Sequence, residues 1–220
     1  MIPTVTPPTL ATATGERWPV RRIFCVGRNY ADHAREMGHD SDAEPPFYFT
    51  KPADAVVQSG AIIPYPPQTS DLHHEAELVV AIGRAGRDIA EETALSHVWG
   101  YAAGNDLTRR DLQAAAKAAR RPWDMAKGFD NSAVVGLIHP GPISDATLTC
   151  TVDGTVTQSA RLSAMIWPVP VLIAHLSRLV TLQPGDLIFT GTPAGVGPLQ
   201  RGQTCTVEIS GLTPAAITLI

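Results

Sequence analysis

The chain has 220 residues, is 44% hydrophobic and 17% charged, and carries a net charge of −4 with a pI of about 5.9. It holds no basic block and no apolar run of the roughly 20 residues a membrane helix needs, which argues against nucleic acid, anionic lipid and the bilayer as partners. Cys25, Cys150 and Cys205 are odd in number and far apart, a pattern of reduced thiols in a cytoplasmic protein rather than a disulfide frame or zinc site.

Residues 1–20 are rich in Thr and Pro and lack the charged and apolar regions of a secretory signal. They are expected to form an extended arm, with residues 21–220 as a single domain. Strand-like runs follow at 21–27, 46–50, 76–83, 100–106, 148–158, 186–191, 204–209 and 215–220. Asp153-Gly154 between two alternating runs predicts a type I′ hairpin, and 183–186 (QPGD) a turn feeding a strand. Three helices are expected. The first, about 30–37, has Asn29 as cap and Gly38 as stop; the second, about 108–120, has Thr108 as cap and Arg121-Pro122 as stop; the third, about 169–180, carries Val171, Leu172, His175, Leu176 and Leu179 at helical spacing. Many short strands with few helices read as a β-rich α+β fold.

The run "HHEAEL" sets Glu75 and Glu77 two apart at the entrance of an apolar strand. In a strand, residues i and i+2 share a face, so both carboxylates project together, roughly 6–7 Å apart at their bases. Without a cation they repel, and one should be protonated. Oxygen-only donors favour Mg²⁺, Mn²⁺ or Ca²⁺ over zinc. Two solvated glutamates on an edge strand are the alternative. Asp106 ends the run "GYAAGND" just before the second helix, where it is either a third ligand or a helix cap. Arg110 and Gln113 share a helix face, and Lys127 follows in "WDMAKGFDNS"; each can bind a carboxylate or carbonyl oxygen, and each can equally be a surface residue.

His33 and Glu36 stand three apart on the first helix, a spacing that lets the carboxylate orient the imidazole and raise its basicity. An ordinary exposed pair has the same spacing. The polar segment 39–46 could close over a site as a lid. The Gly-rich "TGTPAGVG" lacks the ending of a phosphate-binding loop; its N–H groups and Thr192 could hold a small carboxylate, or it is a tight turn. His73 and His74 read as a helper and a packing residue.

The strings "VGRNYADHAREMG", "FTKPADAVV", "DLHHEAELVVAIG", "GYAAGNDLTRRDLQ", "PWDMAKGFDNS", "LSAMIWPVPVLIAHLS" and "LQPGDLIFTGTPAGVGPL", in that order, resemble the fumarylacetoacetate hydrolase family. The likeness runs from about Ile23 to the C-terminus. It lies in the short acylpyruvate hydrolase branch and is greatest to fumarylpyruvate hydrolases. It implies a mixed β-roll or β-sandwich with a few flanking helices, in a single catalytic domain and usually a homodimer. It implies one Mg²⁺ or Mn²⁺ per chain on Glu75, Glu77 and Asp106. Catalytic roles fall to His33, Glu36, Lys127 and Gln113, and substrate contacts to Arg110, Gln113, Lys127 and Thr192. Larger members of the family add an acidic ligand from an upstream domain that has no counterpart here.

The resemblance implies hydrolysis of a C–C bond in an acylpyruvate, most like fumarylpyruvate cleavage to fumarate and pyruvate in gentisate-type aromatic degradation. A far carboxylate on the substrate needs a second cation, for which Arg28, Arg35, Lys51 and Arg109 are candidates. The rivals are oxaloacetate decarboxylation or dienoic diacid isomerisation or decarboxylation on the same cradle, and a non-catalytic module whose cation only stabilises the fold. A nucleotide enzyme lacks both the phosphate-binding lysine and βαβ alternation.

Overall fold

The computed structural model describes residues 2, 4, 6–36 and 45–220. The proposed stop Gly38 and most of the lid-like segment 39–46 lie outside them. The strands are β1 (Thr9–Ala11), β2 (Arg17–Pro19), β3 (Arg22–Gly27), β4 (Phe47–Lys51), β5 (Val56–Gln58), β6 (Ala61–Ile63), β7 (Leu72–His74), β8 (Ala76–Ile82), β9 (Val98–Asp106), β10 (Thr108–Arg109), β11 (Ala133–Val135), β12 (His139–Pro140), β13 (Thr147–Val152), β14 (Thr155–Arg161), β15 (Asp186–Phe189), β16 (Gly197–Leu199), β17 (Thr204–Ile209) and β18 (Ala215–Leu219). The α-helices are α1 (Ala31–Glu36), α2 (Arg110–Ala118), α3 (Asp124–Lys127) and α4 (Val169–Leu179).

A mixed eight-stranded sheet runs β4-β3-β15-β8-β9-β11-β5, with β12 beside β9, and a five-stranded sheet runs β14-β13-β17-β18-β6. Every residue of β8 is buried, so both its faces are covered. Ala76, Leu78, Val80 and Ile82 pack with Leu148, Val207, Ile217 and, from α4, Leu172 and Leu176 in one core between the sheets. Val79 and Ala81 join Ile23, Leu187, Phe189 and Leu10 in a second core on the other face. The period of 2 that divides β8 between two cores also fixes the direction of Glu77, which shares parity with Val79 and Ala81.

The expected arm contains structure. β1 and β2 form an antiparallel ladder, and Leu10 at its centre is fully buried in the second core. Asp153 (φ 48°) and Gly154 (φ 80°) make the predicted hairpin turn between β13 and β14, with both residues left-handed as a type I′ turn requires. Gly185 at φ 91° closes the turn into β15, where Asp186 N–H reaches Gln183 O at 3.1 Å.

Two proposed caps are wrong. Asn29 does not cap α1: its side chain accepts from Trp167 N–H at 2.7 Å and donates to Trp167 O and Thr190 O at 2.9 and 2.8 Å, so its amide ties three chain segments together. Thr108 belongs to β10, which pairs with β7, and its hydroxyl donates to Asp106 O at 3.1 Å. The helix starts two residues later and stops at Ala118, before Pro122. Arg120 turns left-handed (φ 53°), and the N–H groups of Arg120 and Arg121 cap Lys117 O and Ala116 O. Among the described residues no helix is long and apolar enough to cross a membrane.

Candidate metal centre and active site

Strand register assembles the carboxylates. Glu75 sits in the break between β7 and β8, and Glu77 is the second residue of β8. β9 pairs antiparallel with β8, setting Gly104 opposite Glu77, and Asp106 N–H reaches Glu75 O at 2.9 Å. Oxygens of Glu75, Glu77 and Asp106 therefore lie within 4.8 Å of one another, and all three residues are buried. Asn105 Oδ1 accepts from Glu75 N–H at 2.9 Å and holds the strand break in place.

Buried carboxylates need compensation. Lys127 Nζ donates to Glu75 Oε2 at 2.7 Å and to Asp106 Oδ2 at 2.8 Å, and Arg110 pairs with Glu75 Oε1. Burial alone would raise Glu75, but Lys127 and Arg110 outweigh it and hold the carboxyl well below its usual range. Burial would lower Lys127, and Asp106 with Glu75 reverses this and raises it. Glu77 goes the other way. Burial, Asp106 and Glu75 push it well above the ordinary carboxylate value, opposed by Lys127 and the Gly191 N–H at 2.7 Å. One carboxyl of the cluster thus favours its proton, as two like charges in one site require.

The residues fit a hard divalent cation. Their donors are all carboxylate oxygens, and the buried Asp106 Oδ1 lies 2.7 Å from Lys51 Nζ yet makes no aligned hydrogen bond. Glu77 has a single backbone donor and no ammonium or guanidinium pairing with it among the described residues.

Helix α1 brings up His33, whose Nδ1 is 3.2 Å from Glu36 Oε2. Gly195 N–H meets the same carboxylate at 3.2 and 3.3 Å. The Gly-rich loop therefore turns its N–H groups on the protein's own acids: Gly191 on Glu77, Gly195 on Glu36. Gly191 does so at φ 95°, where a Cβ would stand 2.7 Å from Asn29 Cβ. Gln158, which the sequence did not single out, sets the loop against β8. Its amide donates to Thr192 Oγ1 and Pro193 O at 2.8 Å and accepts from Ala76 N–H at 3.0 Å, with His74 Nδ1 also 3.0 Å away.

One cleft is lined by His33, Glu75, Glu77, Arg110, Gln113, Lys127 and Thr192 together with Arg28, Lys117, Phe47, Phe49 and Trp123. Asp106 lies beneath it, fully buried, and Glu36 stands behind His33. Arg110 Nη1 donates to Gln113 Oε1 at 2.6 Å, so the two share a face as their spacing predicts. His73 bonds Asp71 at 2.9 Å and faces Arg110; His74 is buried against Gln158 and Cys150. The three cysteines are free and buried.

Three of the four candidate second cations do not line the cleft. Lys51 is fully buried, pairing with Asp106 and donating to Leu107 O at 3.1 Å and to Lys127 O. Arg35 pairs with Asp32 in solvent. Arg109 stacks 4.3 Å over Phe129 in a separate depression. Arg28 lines the cleft, its guanidinium 4.9 Å over Phe47. Lys117, one turn beyond Gln113, lines it too and was missed, although the i, i+3, i+7 pattern of Arg110, Gln113 and Lys117 was present in the sequence.

The family profile described as fumarylacetoacetate (FAA) hydrolase C-terminal matches residues 22–220. The structure of a fumarylpyruvate hydrolase from Pseudomonas aeruginosa, in complex with Mn²⁺ and pyruvate, is 45% identical, with a TM-score of 0.97 over 100% of this chain and 98% of that one. A fumarylpyruvate hydrolase of a Ralstonia species is 42% identical over 82% of this chain and 95% of its own. A mitochondrial oxaloacetate decarboxylase of Dictyostelium discoideum is 44% identical over 87% and 90%. The chain belongs to the fumarylacetoacetate hydrolase family, with the β-rich fold expected of it. Relatives in this range include hydrolases and decarboxylases, so the family alone leaves the reaction open.

Proposed function

We propose that the protein hydrolyses the C–C bond of an acylpyruvate, with fumarylpyruvate as substrate and fumarate and pyruvate as products. The observation that carries this reading is the convergence of the acidic cluster and the His33–Glu36 pair on one cleft. A metal cradle alone would serve any keto acid; an oriented imidazole beside it adds a base for water.

A divalent ion, Mg²⁺ or Mn²⁺, on Glu75, Glu77 and Asp106 would polarise the keto oxygen of the substrate and stabilise charge on the departing keto acid. Glu36, held by the Gly195 N–H, orients His33. His33 takes a proton from water, and the water oxygen bonds to the far carbonyl carbon. Gln113 and Lys127 stabilise the oxyanion, while Arg110 and Thr192 orient the substrate. The bond from that carbon to the adjacent methylene then breaks. Its electron pair leaves with pyruvate as the enolate, which takes up the proton held by His33, and the acyl part departs as a carboxylic acid. The thiols and the family resemblance favour a cytoplasmic homodimer.

Oxaloacetate decarboxylation is the second reading, favoured by the 44% identity to the Dictyostelium enzyme. It needs the cradle but no attacking water. The test follows loss of fumarylpyruvate enol absorbance with Mg²⁺ or Mn²⁺, with and without chelator, beside acetylpyruvate and oxaloacetate. Hydrolysis puts solvent ¹⁸O into the carboxylate of the acid product. Turnover of oxaloacetate alone, or acid product without label, would sink the hydrolytic reading.

A further inference from the structure

Helix α2 directs Arg110, Gln113 and Lys117 along one face into the cleft. The first two are engaged with Glu75 and with each other. Lys117 pairs with no carboxylate among the described residues; its ammonium lies 5.1 Å from the Trp123 ring centroid. Partial burial first, and then the charges of Arg110 and Arg28, lower the pKa of that ammonium. Between Lys117 and the acidic cluster the wall is aromatic. Trp123 packs edge-on to Phe47 and tilted to Phe49, each at 5.9 Å. From Gln113 to Lys117 the helix rises about 6 Å. That is the reach of an unsaturated acyl chain ending in its own carboxylate. The cleft thus offers a cation-binding cluster at one end, a flat apolar wall in the middle and an ammonium at the other.

We propose that Lys117 is the specificity residue for the far carboxylate of a 2-keto diacid whose keto acid end lies at Glu75, Glu77 and Asp106. This rests on the reading of the cleft as a keto acid site. It does not require that the bound diacid be hydrolysed. The cations that the sequence offered for this role do not include Lys117, and three of them do not line the cleft.

The test compares Lys117→Gln and Lys117→Arg with the wild-type protein in two ways. In turnover, Lys117→Gln should raise KM for fumarylpyruvate about tenfold more than KM for acetylpyruvate, which lacks the far carboxylate, and Lys117→Arg should recover most of that ratio. In calorimetry on the Mn²⁺-loaded protein, the wild type should bind 2-oxoadipate more tightly than 2-oxohexanoate, and Lys117→Gln should lose that preference. Equal losses for both members of each pair, or a wild type without preference for the diacid, overturn the inference. If neither acylpyruvate is turned over but the diacid preference exists and vanishes in Lys117→Gln, the hydrolytic reading fails and the role of Lys117 stands.

Discussion

Lys127 places its ammonium 2.8 Å from Asp106 Oδ2 and shares that contact with Glu75, so a lysine from α3 occupies the space between two of the three converging acids. A cation bound by those acids competes with it for the same oxygens.

Lys127→Met should therefore separate two roles. Without metal, two buried carboxylates lose a partner, and the variant should be destabilised by about 3–5 kcal/mol. Added Mn²⁺ should raise its melting temperature more than it raises that of the wild type. Turnover should fall about 10²–10³-fold even when metal is saturating, because the proposed oxyanion donor is gone. A melting shift no larger than in the wild type means that Lys127 and the metal do not share these oxygens.

Glu77 has one backbone donor, so its replacement should disturb the metal more than the fold. Calorimetry should find one Mn²⁺ per wild-type chain. In Glu77→Gln the affinity should drop at least about 100-fold, since even partners outside the ligand set contribute 10–100-fold. Unchanged affinity would remove Glu77 from the ligand set.

His33 and Glu36 act as one unit if Glu36 serves to orient the ring. His33→Ala should lower hydrolysis by about 10²–10⁴-fold. The double variant with Glu36→Gln should be no slower than His33→Ala alone. Full turnover in His33→Ala would point to another base, or to a metal that serves only the fold.

Gln158 uses its whole amide to join β14, β8 and the Gly-rich loop. Gln158→Leu leaves the buried Ala76 N–H and Pro193 O without this partner, at a cost of about 3 kcal/mol. Denaturant unfolding measures the loss, and KM should rise with it because Thr192 is released. A stability within experimental error of the wild type would mean that water or a neighbour replaces the amide.

Asp111 fastens the start of α2 by accepting from Thr69 Oγ1 at 2.6 Å, Ser70 N–H at 3.0 Å and Leu112 N–H at 2.8 Å. Burial works against its charge, yet these bonds hold its carboxyl below the ordinary value of 3.8. A depressed carboxyl gives stability that is present in full above the unfolded value and lost as pH falls through the folded one. Asp111→Ala should cost about 1–2 kcal/mol at neutral pH. Unfolding curves taken below pH 3.8 should show the gap between variant and wild type closing. A gap constant with pH would show that the charge contributes nothing.

Local signals in the chain were strong where one residue suffices to impose a conformation. Asp153-Gly154 makes its hairpin because both positions tolerate a positive φ, and α4 forms where apolar residues recur at helical spacing. The caps failed for a physical reason. A side chain such as that of Asn29 can bond its own helix or a distant backbone, and the distant partners, Trp167 and Thr190, are supplied only by folding. Short strands such as β7, β11 and β16 have too few residues to show a period; their partners across the sheet stabilise them.

The sequence by itself determined that Glu75 and Glu77 project together, the His33–Glu36 spacing and the shared face of Arg110 and Gln113, because spacing along a strand or helix dictates which side chains share a face, whereas the register of β9 against β8 brought Asp106 to them. Tertiary structure alone decided which cation serves which acid. Lys51, Lys117 and Lys127 are equivalent as letters. Burial and strand register turn the first into a partner of Asp106 and the last into a clamp on Glu75 and Asp106, while the middle one lines the cleft beside Trp123. Charges separate by environment, and an environment exists only once distant segments have packed.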